Sequence, residues 1–332
     1  MVANMWLDDV ANKSHVQVLR ERVGTNKGRI VLFLGAGVSF GASRLGRKSL
    51  SDHDKWDLKH TGGDPDSYME IIVNDDDQPF PTWPRLKSRM RKGLALAHEL
   101  DQESLNDFFR SSDPLDCAQL YLNQVGTTNY FEFLRTQFAP ESPVDYFLTP
   151  SHQALVDLDL PLLFTTNYDN LIERTYLSRG VELIVSSTAE QFIAHRNPTP
   201  IHHLIKMHGS IDQPTTVVLT RDQYARARIE RHRIYEHLKL DIEQSTYLFV
   251  GFSLTDPNVN VLLDDARLET GGQLPPSYTV LGRYDESTDI YYRSMGINVI
   301  WLETWDLLPS FLQAINPAIA PPAASSKRSK KH

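Results

Sequence analysis

The feature that most constrains this chain is a series of short, nearly continuous apolar runs, each closed by glycine or small polar residues. The first is GRIVLFLGAG, Gly28 to Gly37, and LPLLFTTN, VELIVSS, HHLIKMHG, TTVVLT, TYLFVGF, YTVLG and INVIW follow it. Runs of this length without alternation suit strands buried on both faces of a parallel sheet. Helical patterns separate several of them, notably Asn170 to Ser178, Arg221 to Glu243, Val259 to Glu269 and Leu307 to Ile315. Strands alternating with helices imply right-handed βαβ crossovers and an α/β, doubly wound, Rossmann-like parallel sheet. No internal repeat is present.

Residues from about 66 to 148 break that rhythm. DSYMEIIV, WPRLKSRMRKGLALAHELDQESLNDFFR, DPLDCAQLYLNQV and TTNYFEFLRTQF all read as helices, with Asp113 as an N-cap before a first-turn proline. This predicts a helical insertion covering the ligand crevice of the sheet. The polar stretch from Arg44 to Gly63 reads as a cofactor loop. We therefore divide the chain into an N-terminal helical segment (1–27), a Rossmann-like domain (28–50 and 149–316), a loop with a helical insertion (51–148) and a tail (317–332).

Composition excludes several classes. With 332 residues, 41% hydrophobic and 23% charged, the chain reads as globular. No apolar run approaches the ~20 residues of a membrane span, and the N-terminus lacks the pattern of a secretory signal, so a cytoplasmic location is expected. The net charge of −8 argues against general nucleic-acid binding. The tail SSKRSKKH holds four basic residues, without which the net charge falls from −8 to −12. Nucleic acid is thus expected only through that tail or through a partner. A single cysteine, Cys117, precludes an internal disulfide and a cysteine-based zinc site.

Candidate chemistry gathers at the carboxyl ends of the strands, where open α/β sheets bind ligands. GAGVS follows the first run, and its small residues suit close approach to a pyrophosphate. It is not the dehydrogenase fingerprint, since Phe40 occupies the third glycine position. TTNYD follows the second run and brings Thr165, Thr166, Asn167 and Asp169 to the same edge; an Asp or Asn here could also cap the helix that follows. His208 and Gly209 end HHLIKMHG, and an imidazole with an ordinary pKa near ~6.5 is the natural base there. GFSLTDPNV adds a third small-residue turn, with Asp256 placed to cap a helix and Pro257 in its first turn.

Asp75, Asp76 and Asp77 read as a solvated loop, because nothing positions further metal ligands. His202 and His203 alternate faces on a strand, and His152 sits at a helix start. The arginines of RDQYARARIERHRIYEHLK read as an exposed helix face or a subunit contact.

GAGVS, TTNYD, KMHGS and FVGFSLTDPN, in that order, resemble the sirtuin-like NAD-consuming domains, in particular a bacterial zinc-free branch found in anti-phage defence. The resemblance runs from Gly28 to about Trp301. It implies that Gly35, Ala36, Gly37 and Ser39 line the pyrophosphate and ribose of NAD, with Thr166 and Gly209 nearby. Asn167 would sit beside the nicotinamide ribose and place the attacking water, Asp169 would contact the carboxamide, and His208 would act as base. Gly251, Phe252 and Ser253 would hold the adenosine side. It further implies an NAD hydrolase that depletes NAD, self-assembles, and is triggered by a partner such as a HerA-type hexameric ATPase.

That chemistry needs no protein nucleophile, since nicotinamide leaves as a neutral molecule from a cationic ring through an oxocarbenium-like transition state. Orientation, polar contacts and a base suffice. The segment FGASRLGRKSL lacks the glycine–proline–aspartate–phenylalanine run of protein-deacylating sirtuins, so Asp52 and Asp54 are the remaining loop candidates. Alternatives are an NAD- or ADP-ribose-sensing module without turnover, and an ADP-ribosyl transferase or deacylase.

Overall fold

A computed structural model describes residues 10–39, 80–81, 83–97, 100–139, 148–195 and 201–319. The loop candidates Asp52 and Asp54, the triplet Asp75 to Asp77, the predicted helix at DSYMEIIV and the basic tail lie outside the described residues.

Seven parallel strands form one sheet in the order β3-β4-β2-β1-β5-β6-β7. They are β1 (Ile30–Leu34), β2 (Leu162–Thr165), β3 (Ile184–Ser186), β4 (His203–Lys206), β5 (Thr246–Val250), β6 (Ser277–Gly282) and β7 (Ile297–Leu302). The strands alternate their side chains between two cores, as the pleat requires. Ile30, Leu32 and Leu34 of β1 enter one core with Leu163, Leu248 and Val250. Val31 and Phe33 enter the opposite one with Phe164, Tyr247 and Phe249. Helices Val10–Thr25, Pro150–Asp157, Leu171–Ser178 and Leu308–Ile315 cover the first face; helices Arg221–Glu230, His232–Gln244 and Pro257–Glu269 cover the second. Burial on both faces is why the runs are continuously apolar.

The predicted strand TTVVLT is not one. Pro214–Thr216 forms a 3-10 turn, and Val218 donates its amide to the His208 carbonyl (2.9 Å). Val217 and Leu219 point instead into a third core built by helices Trp83–Ala97, Gln102–Ser111 and Pro114–Phe138. The apolar run thus reflects burial against helices rather than strand pairing. Helix Pro114–Phe138 breaks at Gly126 (φ 76°), where the two predicted helical patterns meet.

Chain reversal places the ligand crevice. From β1 the chain goes first to β2 on one side, and only after β4 crosses to β5 on the other. Leu34, the last residue of β1, is level with Thr165 of β2 and Val250 of β5. Gly35, Thr166 and Gly251 therefore leave the sheet side by side, at the topological switch point.

Candidate active site

Two glycine turns meet at that switch. Gly35 donates to the Val250 carbonyl (3.0 Å), Gly37 to that of Gly251 (2.9 Å), and Val38 to that of Gly35 (3.0 Å). A Cβ on Gly251, which has a φ of +64°, would lie 2.5 Å from the Val38 nitrogen and 2.8 Å from the Gly37 Cα. Close packing of the two turns thus accounts for these glycines. The amides of Gly35, Gly37 and Val38 are engaged in holding the two turns together. The Trp305 indole pins the turn from outside by donating to the Gly37 carbonyl (2.9 Å).

From the β2 end, Asn167 turns back toward β1. Its amide nitrogen donates to the Gly35 carbonyl (3.1 Å) and lies 3.4 Å from the Ser39 hydroxyl. Asn167 is buried, and its Oδ1 has no hydrogen-bond partner among the described residues. Such an acceptor is costly unless something else fills it. The Asp169 carboxylate uses both oxygens: Oδ2 accepts from the Ser39 hydroxyl (3.0 Å), and Oδ1 accepts from the Leu171 amide (3.0 Å) at the start of helix Leu171–Ser178. Asp169 thus ties the start of that helix to the turn after β1.

Lys206, at the end of β4, is fully buried beneath this corner. Its ammonium donates to the Asp169 and Tyr168 carbonyls and to Glu173 Oε1 (2.7 Å). Burial raises the Glu173 pKa, and the Lys206 charge opposes the rise. The lysine fixes the backbone that carries Asn167 and Asp169. Its one sequence signal was a charge inside an apolar run.

His208 lies two residues past β4, and 2% of it is exposed. Its Nδ1 is 3.2 Å from the Tyr224 hydroxyl, and its Nε2 is 3.4 Å from Asp256 Oδ2 without the alignment of a hydrogen bond. Tyr224 donates to the same Asp256 oxygen (3.1 Å). Burial lowers the His208 pKa; Asp256 counters this and Arg231 adds to it. Asp256 also caps helix Pro257–Glu269 through Oδ1, which accepts from Asn258 and Val259 (3.0 Å each). The cap was legible in the sequence, but the contact with His208 was not.

Other predicted residues are placed differently. Gly209 (φ +82°) is required because a Cβ would strike the Thr216 backbone. The Phe252 ring packs on Phe33, with centroids 4.5 Å apart, so its side chain belongs to the core. Ser253 is exposed and hydrogen-bonds Thr255, whereas Thr166 is half-buried at the crevice edge and Ala36 sits in the turn after β1. The basic helix divides at Arg231, which is buried and donates to the Met207 (2.6 Å) and Thr216 carbonyls; the remaining arginines stay exposed, as read. His152 sits at the start of helix Pro150–Asp157, as read, and is buried, with Nδ1 2.7 Å from the Thr149 hydroxyl. Burial pushes its pKa down to about 4, against the opposing field of Asp169.

A parallel sheet of this order, with Ser39, Asn167 and Asp169 joined by hydrogen bonds at its switch point, defines a Rossmann-like domain, and comparison makes the class more specific. Residues 161–300 match the SIR2-like domain; the match includes Asn167, Asp169, His208 and Gly251 and begins after the Gly35 turn. NAD(+) hydrolase ThsA from Enterococcus faecium is 30% identical over 61% of this chain and 40% of its own length. The protein of that name from Bacillus cereus is 32% identical over 52% of this chain and 36% of its own. Defense-associated sirtuin 2 of Bacillus subtilis is 26% identical over 86% of this chain and 24% of its own. The chain thus spans less than half the length of each of these relatives.

Proposed function

We propose that this chain is an NAD hydrolase, cleaving NAD to nicotinamide and ADP-ribose at the Asn167–His208 corner. The observation that carries the reading is the buried Oδ1 of Asn167, which has no partner among the described residues, an acceptor held firmly in place and suited to a ribose hydroxyl or a water molecule. Ser39 and Asp169 complete a polar wall for the nicotinamide end, and His208 is the base. Support comes also from relatives that bear the name NAD(+) hydrolase. In the cell the enzyme serves as an NAD-depleting effector of anti-phage defence, a role supported by the name of the Bacillus subtilis relative. It works as a homo-oligomer under the control of a separate trigger, such as a HerA-type ATPase, as the family resemblance suggests.

The test is product analysis. Purified protein is incubated with NAD, alone and with the candidate ATPase or phage lysate, and nicotinamide, ADP-ribose and cyclic ADP-ribose are quantified. ADP-ribose released in step with nicotinamide, without an acceptor, is the expected result. Nicotinamide release only in the presence of an acceptor would point to a transferase or deacylase. NAD binding without turnover under every condition would leave a sensor.

A further inference from the structure

We propose that Tyr224 and Asp256 are positioning residues that hold neutral His208 as its Nδ1–H tautomer, leaving Nε2 as the atom that takes the proton. The inference rests on the reading of His208 as the base in NAD hydrolysis. It follows from counting protons. A carboxylate only accepts hydrogen bonds, so the single Tyr224 hydroxyl proton goes to Asp256 Oδ2, 3.1 Å away. The Tyr224 oxygen is then an acceptor, and the group within reach of it is His208 Nδ1 at 3.2 Å. In that arrangement Nδ1–H donates to the Tyr224 oxygen and Nε2 keeps the lone pair; the alternative, Tyr224 donating to Nδ1 with Nε2–H turned to Asp256, exchanges the Tyr224–Asp256 bond for a misaligned contact at 3.4 Å.

The remaining surroundings set the cost of protonating Nε2. Nε2 is buried and has no hydrogen-bond partner among the described residues, so no described donor takes its lone pair. Proton transfer breaks the O–H bond of the attacking water, or of a ribose hydroxyl, and forms Nε2–H. The imidazolium then lies 3.4 Å from Asp256 Oδ2, where the charges attract. Arg231 opposes this step with its positive charge. Tyr168 and Tyr235, whose charges would be felt by Tyr224, are buried phenols whose pKa values burial raises, so both are neutral. Asp256 is thus the anionic group that balances a protonated His208.

Two arms test the relay on the full chain. In the first, histidine-selective 15N spectra of the wild type and of His208→Ala assign the His208 ring nitrogens among the 12 histidines. A proton-bearing Nδ1 and a proton-free Nε2 are expected, and Tyr224→Phe should erase that preference. In the second, Asp256→Asn keeps a good helix cap but removes the charge. kcat should fall at least about tenfold, within the range of acid–base contributions, with KM little changed, and the acid limb of kcat/KM should move to lower pH. A neutral His208 protonated at Nε2 overturns the proposal. So do Tyr224→Phe and Asp256→Asn enzymes whose acid limbs and kcat match the wild type. The spectra need no turnover, so an inactive wild type would sink the hydrolase reading without deciding the tautomer.

Discussion

Replacing Lys206 with methionine tests how the corner is held in place. The ammonium is fully buried and has three acceptors, the Glu173 carboxylate and the Tyr168 and Asp169 carbonyls. Methionine nearly matches the lysine stem in volume, so the cost comes from the lost charge and hydrogen bonds rather than from a cavity. Removing one member of a buried ion pair costs about 3–5 kcal/mol, because the other charge is left without a partner. The stranded group here is Glu173, whose pKa burial already raises. The loss therefore has a defined pH dependence. With Lys206 gone the Glu173 pKa rises further, so the folded state holds a proton that the unfolded chain releases. Destabilisation is then greatest at neutral pH and above, and shrinks as pH falls and Glu173 is protonated in both states. Equilibrium urea unfolding at pH 7 and pH 5, followed by circular dichroism and tryptophan fluorescence, reads this directly. Lys206→Met/Glu173→Gln should recover a good part of the loss at pH 7. A single-variant loss below about 1 kcal/mol, the level of an exposed pair, would refute the reasoning, as would a loss that does not change with pH.

Three further outcomes are expected. Ser39→Ala removes a donor from the buried Asp169 carboxylate, a bond worth about 1.5–3 kcal/mol, and kcat/KM for NAD should drop by at least about tenfold in steady-state assays. Gly251→Ala forces a positive φ on an L residue and drives its Cβ into the Gly37–Val38 backbone, so urea unfolding should show a loss of about 2–4 kcal/mol. His203, whose pKa burial holds at about 4 with His195 and His237 adding to the shift, binds a proton more readily when unfolded. Its contribution to stability is complete above pH ~6.5 and is lost as pH falls toward 4. His203→Gln should flatten that part of the stability–pH curve.

The parts of the molecule legible in its sequence were those written in local pattern. Buried β1 and β5, the turns at Gly35 and Gly251, and the Asp113 and Asp256 caps all follow from neighbouring residues alone. Asn167, Asp169 and His208 were legible as a polar set at strand ends, and the fold brings their strands side by side. What stayed hidden depended on residues far apart in sequence. TTVVLT looks like a strand because local pattern records burial but not what does the burying. Tyr224 lies in a charged helix with no sign that it faces His208, and Arg231 looks like its exposed neighbours until the helix breaks beneath it. The glycines were legible in part. Their smallness was read for a bound phosphate, and the fold adds a second reason for it, contact between two backbone turns.

The most direct test of the central claim compares NAD hydrolysis by wild type, Asn167→Ala and His208→Ala, with circular dichroism confirming that each variant is folded. The account predicts acceptor-free ADP-ribose formation by the wild type and a loss of at least about a hundredfold in both folded variants. Folded variants that hydrolyse NAD at the wild-type rate would place the chemistry elsewhere in the chain and contradict it.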